Sequence, residues 1–119
     1  MKRMIALGAA SWLAFAAAAA AQGGPNGEDI FATRCGMCHV AEGGGPGPSL
    51  TGVVGRKAAS RADFPYTPAL KGSNLTWTTA ELDHFLSDPE KAVPGTAMVV
   101  PVPDDKERAA LIAYLASLH

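Results

Sequence analysis

The sequence predicts an all-α domain of three to five helices joined by long loops, and three observations carry that expectation. Thr78 with Glu81, and Asp104 with Glu107, are capping boxes, in which an oxygen-bearing side chain satisfies the first free amide groups of a helix. Beyond the second box, Leu111, Leu115 and Leu118 share one helical stripe, with Ile112 and Tyr114 beside it. No segment alternates apolar and polar residues with the period of a half-buried strand, and thirteen glycines and nine prolines mark much of the remainder as irregular.

The elements follow in order. Lys2 and Arg3 precede an uncharged, alanine-rich run from Met4 to Ala21, with Ala19, Ala20 and Ala21 as a small-residue cleavage site. This reads as a signal peptide over residues 1–21, cleaved after Ala21, leaving one domain over 22–119. A retained membrane anchor is the competing reading, weakened by the low hydropathy of alanine and by Gly8 and Ser11. Export of the mature chain, to the periplasm, is the expectation. Of the ten Lys and Arg, two leave with the leader, and the remaining eight face eleven Asp and Glu, a formal charge of −3. Such a balance gives no basic face for nucleic acid.

Asn26 can cap a first helix running to about Met37, with Ile30, Phe31 and Cys35 on its apolar side. Gly43-Gly44-Gly45-Pro46-Gly47-Pro48 interrupts regular structure. Residues 51–75 read as loop with at most a short helix over Thr67–Lys71. The helix opened by Thr78 turns Leu82, Phe85 and Leu86 inward and stops at Asp88, ahead of Pro89. A chain this small has few large apolar side chains, so a non-protein group is expected to fill its middle.

The only cysteines, Cys35 and Cys38, stand three apart with His39 directly behind. A helical turn brings all three to one patch. A dithiol centre suits an exported chain but normally sits where a strand meets a helix, and no strand is apparent. Zinc needs four ligands, and only His84 and His119 remain to supply them. Cys-x-x-Cys-His is also the attachment signature of covalent c-type haem, in which both thiols become thioethers and the histidine ligates the iron. This is the favoured reading, with one haem c. For the opposite axial position the candidates are Met37, Met98, His84 and His119. Met37 lies inside the attachment turn, His84 off the apolar stripe, and His119 at the chain end. Met98, in a proline-bounded loop, is the expected ligand, although a methionine can also simply fill a core gap.

Taken in succession, "CGMCH", "GPSLTGVVGRK", "FPYTPALK", "LTW", "VPGTAM" and "LIAYL" resemble the class I cytochromes c over residues 27–118, in that family's order and near its spacing. The resemblance implies the small cytochrome c fold wrapped around one covalently attached haem. It implies that the Pro48 carbonyl accepts a hydrogen bond from the ligand histidine, and that Arg56, Tyr66, Thr67 and Trp77 supply donors to the haem propionates. It also implies that Gly27 and Phe31 meet Leu111 and Tyr114 where the first helix crosses the last. Leu70 and Phe85 replace polar groups near the methionine sulfur, predicting a drier pocket. Ala97 and Glu90 replace lysines and Val100 an aromatic, so the basic docking ring of mitochondrial relatives is not expected here.

The function expected is a soluble electron carrier, not an enzyme, with no catalytic residue assigned. It would be a monomer that meets larger redox proteins transiently as donor and acceptor, without nucleic acid and without membrane insertion once the leader is gone. An enzyme or sensor in which Met98 leaves the iron, and a subunit or tethered carrier within one complex, are the alternatives.

Overall fold

The computed structural model describes residues 23–119. The leader and its cleavage site lie outside the described residues. Helix α1 spans Gly27–Arg34, capped by the Asn26 side chain, which accepts from Asp29 N at 3.1 Å. It is shorter than the sequence predicts. The amides of Cys35 and Gly36 both converge on the Phe31 carbonyl, at 2.8 and 2.7 Å, and this shared acceptor ends the helix at a glycine. One further turn follows, in which Cys38 N and His39 N donate to Cys35 O at 3.1 and 2.9 Å. That turn gathers the attachment motif.

Helix α2 is Pro68–Lys71, capped by Thr67 in the region expected. Helix α3, Thr79–Ser87, begins where Thr78 Oγ1 accepts from Glu81 N at 3.1 Å. Asp88 ends α3 as predicted, yet the chain immediately restarts as α4, Pro89–Ala92, which the sequence reading did not anticipate. Asp88 is the N-cap of this second helix, its carboxylate accepting from Lys91 N at 3.2 Å. Proline fits the first helical position because it has no amide hydrogen to leave unsatisfied there. Helix α5, Asp105–Ala116, starts from Asp104, whose carboxylate accepts from Glu107 N at 2.8 Å.

Helix α5 packs against both α1 and α3, and α3 against α4. Gly27 permits the first crossing: a β-carbon there would overlap the Ala110 carbonyl oxygen and lie 2.9 Å from Tyr114 Cβ. The Phe31 and Tyr114 rings meet at 5.4 Å beside it. Ala110 and Tyr114 thus lie nearest Gly27, and Leu111, between them on the same helix, is fully buried with Val102. Ile30, Val53, Trp77, Leu82, Phe85, Leu86, Val93, Ile112 and Leu115 join them in the core with Cys35, a large apolar side chain contributing roughly 1.5–3 kcal/mol on burial. Arg108 joins α5 to α3 through Asp83 at 2.8 Å and donates to the carbonyls of Val102 and Pro103, at 3.1 and 2.8 Å.

The loop between α1 and α3 gains order from a single antiparallel bridge, Lys57 with Thr76. Around it Gly55 N donates to Trp77 O, Trp77 N to Arg56 O and Ala58 N to Leu75 O, at 2.7, 2.8 and 2.8 Å. Among the described residues there is no strand, and no helix long and apolar enough to cross a membrane.

Candidate haem site

Between α1, α3, α5 and the loops lies a cavity of about 740 Å³. Protein interiors pack at crystal-like density, so a space this large is a ligand site and not a packing fault. Leu50, Val53, Leu70, Trp77, Leu82, Phe85, Leu86, Leu111 and Leu115 give it apolar walls. Cys35, Cys38, His39 and Met98, brought from opposite ends of the sequence, all line it.

Cys35 is buried at the wall and Cys38 is exposed at the mouth. Burial pushes the Cys35 thiol up from its ordinary range, with the Arg34 charge acting in the opposite sense. His39 Nδ1 stands 2.8 Å from the Pro48 carbonyl oxygen. A carbonyl can only accept, so Nδ1 carries the proton and Nε2 keeps the free lone pair. Gly47 presses on the same ring. A β-carbon there would fall 2.7 Å from His39 Cε1 and 2.8 Å from Nδ1. Gly45 is equally tight against the attachment turn, at 2.5 Å from Cys38 O. Gly47 therefore lets the loop lie against the imidazole, and Gly45 lets it lie against the backbone of the attachment turn. The sequence pointed to Pro48 in that stretch but not to the fit of Gly45 and Gly47; the signal available was the repeated Gly-Pro leading into Pro48.

Met98 reaches the cavity from a turn far along the chain. Val93 O accepts from Thr96 N at 3.0 Å across Pro94 and Gly95, and Gly95 has a φ of +90°. Proline followed by a glycine in the left-handed region is the chemistry of a type II turn. Met98 N then donates to Thr96 Oγ1 at 3.3 Å, and Val102 N anchors the segment to Leu86 O at 2.7 Å. The other candidates fall elsewhere. Met37 is 89% exposed, and His84 and His119 are exposed, none of them lining the cavity. Among the described residues no three His, Cys, Asp or Glu side chains form a metal-binding group.

Along one edge the cavity turns polar. Arg56, Tyr66, Thr67 and Trp77 all line it. The β-bridge places Arg56 next to Trp77, and Arg56 is oriented by the carbonyls of Thr51 and Ser49, at 2.8 and 3.3 Å. Those bonds use two of its five N–H groups, leaving the rest for a further acceptor. Thr67 Oγ1 accepts from Leu70 N at 3.3 Å, so its hydroxyl proton is free to be donated elsewhere. The Phe85 ring meets that of Trp77 at 5.0 Å, tilted by 55°, and with Leu70 adds to the apolar lining of the cavity. An apolar slot with two thiols and an imidazole at one wall, a thioether at another and donors along one edge fits an iron porphyrin bearing two carboxylates.

Comparison with known proteins bears on the same point. The cytochrome c family profile matches residues 25–119. Cytochrome c of Tetrahymena pyriformis is 48% identical over 94 residues, covering 77% of this chain and 85% of its own. Cytochrome c2 of Rhodomicrobium vannielii is 44% identical over 115 residues, covering 90% of this chain and 89% of its own. The solved structure of cytochrome cH from Methylobacterium extorquens superposes with a TM-score of 0.71 at 50% identity, over 75% of this chain and 92% of that one. With the attachment motif at Cys35, Cys38 and His39, these relationships establish that the chain belongs to the cytochrome c family, electron carriers that hold a covalently attached haem c.

Proposed function

We propose that the protein is a soluble periplasmic one-electron carrier whose haem iron is held between His39 and Met98. One observation carries this reading: Cys35, Cys38, His39 and Met98 converge on a single apolar cavity, with the Pro48 carbonyl fixing the tautomer of His39. When bound, the haem supplies an iron that cycles between ferric and ferrous states. The chain supplies the rest. Cys35 and Cys38 tether the porphyrin, and His39, with Nδ1 committed to Pro48, offers Nε2 as the ligand. Met98, set by the Pro94–Gly95 turn, offers its thioether. Were His39 and Met98 both to hold the iron, it would have no vacant position for a substrate, which is the chemistry of a carrier and not an enzyme.

Arg56, Tyr66, Thr67 and Trp77 hold the carboxylate edge, each able to donate to an anion that would otherwise be buried at high cost. Leu70, Phe85 and Trp77 exclude water. A dry pocket and a thioether ligand favour the ferrous state and so raise the potential. Met37, Val99 and Val100 are large apolar side chains that remain exposed, the last two beside the methionine ligand at the cavity mouth. They suit brief contact with a larger redox protein through a small interface. Periplasmic location rests on the leader read from residues 1–21; mass spectrometry of the exported protein checks it, a chain beginning at Gln22 with one haem being the expected product.

The deciding test is Met98→Ala. Loss of the methionine–iron absorption band and a lowered potential are expected, and an unchanged spectrum would show that another group ligates the iron.

A further inference from the structure

Arg61 and Asp63 take no part in the resemblance, yet they stand at the polar edge of the cavity. Asp63 lines it beside Phe64 and Tyr66, and among the described residues it is the one carboxylate that does. Arg61 does not line the cavity; it holds Asp63 from behind through both oxygens, Nε to Oδ1 and Nη2 to Oδ2, each at 2.9 Å. A two-point guanidinium grip fixes orientation as well as distance. Gly43 closes over the same spot, where a β-carbon would lie 3.6 Å from Asp63 Oδ2. The edge therefore presents Arg56 as its cation and Asp63 as an anion neutralised by Arg61.

That arrangement has an electrostatic consequence for whatever carboxylates bind against Arg56 and Tyr66. A bare Asp63 would repel them and would favour the more positive state of the iron; a paired Asp63 does neither to the same degree. We propose that the Arg61–Asp63 pair is a charge clamp at the propionate edge, in which Arg61 acts as a positioning residue and the balance of the pair tunes the reduction potential. This rests on the haem reading given above. Ferric iron carries one more positive charge than ferrous, so added negative charge lowers the potential and its removal raises it.

The test is an equilibrium redox titration of the purified haem protein and its variants, with thermal melts to establish that each is folded. Arg61→Ala strips the counter-charge from Asp63 and is expected to lower the potential. Asp63→Asn leaves Arg61 unopposed and is expected to raise it. For charges at a solvent-facing rim, each shift corresponds to an about two- to threefold change in the ferrous-to-ferric ratio, or ~18–28 mV at 59 mV per tenfold for one electron. The double variant returns to the wild-type value, Arg61→Lys recovers most of it, and the single shifts shrink between roughly 0.01 and 1 M salt.

A pair that merely staples the loop predicts something else: both single variants would admit water and move the potential in the same direction. Shifts of one sign, a double variant that fails to return, or no shift at low salt would each overturn the inference. The reading beneath it fails differently. A wild-type protein without covalent haem would remove both, whereas a haem-bearing wild type with same-sign shifts would remove only the clamp.

Discussion

Gly27→Ala isolates the contribution of the α1–α5 crossing. The added methyl would overlap the Ala110 carbonyl oxygen, lie 2.7 Å from its carbon and 2.9 Å from Tyr114 Cβ. Two of these partners are backbone atoms of a packed helix, so no side-chain rotation relieves the clash, and the helices must separate by about 1 Å. Overpacking of this kind costs about 1–3 kcal/mol. Alanine returns up to ~0.5–1 kcal/mol through unfolded-state entropy, so a net loss of about 1–2 kcal/mol is expected. For a domain this size each kilocalorie moves the melting temperature by roughly 4–8 °C. A drop of about 4–16 °C in a circular-dichroism melt of the haem protein is therefore expected, while Gly24→Ala, which meets nothing within 4 Å, leaves it unchanged. An unaltered midpoint in Gly27→Ala would refute the argument that close approach at this glycine holds the two ends of the fold together.

Other expectations follow from particular geometries. Gly47→Ala would drive a methyl into the His39 ring, 2.7 Å from Cε1, and should weaken the methionine–iron band and lower the yield of haem protein. Ala59, at a φ of +55°, occupies the left-handed region at the cavity wall, so Ala59→Gly should raise stability by about 0.5–1 kcal/mol in guanidinium titration. The same change at Asn74, with a φ of +54°, should gain less, because asparagine tolerates that conformation. The hydrogen bonds from Arg61 hold the Asp63 carboxyl below the usual carboxylate range. A depressed carboxylate contributes stability above its unfolded value and loses it as the pH falls through its folded value. The acid limb of the stability profile should accordingly flatten in Asp63→Asn, and an unchanged limb would show that the pair does not contribute.

Local chemistry was legible in the chain and tertiary proximity was not. Asn26, Thr78 and Asp104 all cap the helices their side chains announce, since capping depends on neighbours three residues away. Cys35, Cys38 and His39 were readable for the same reason. The overlong first helix came from following the apolar face past Gly36, although that glycine was the visible stop. Reading Pro89 only as a terminator missed that Asp88-Pro89 also opens a helix. The bridge between Lys57 and Thr76, the fit of Gly45 and Gly47 against the attachment turn, and the placing of Asp63 at the cavity all depend on segments distant in the chain. No periodicity reports such approaches. Met98 could be singled out because its turn, Val-Pro-Gly-Thr, is itself local.

The marriage of the first helix to the last also imposes an order of events on biogenesis. Nothing can seal Gly27 and Phe31 until Ala110 and Tyr114 dock against them, so the fold stays ajar until its last helix is in place. A late-closing topology thus leaves time for a bulky planar guest to be stitched in before the door shuts behind it.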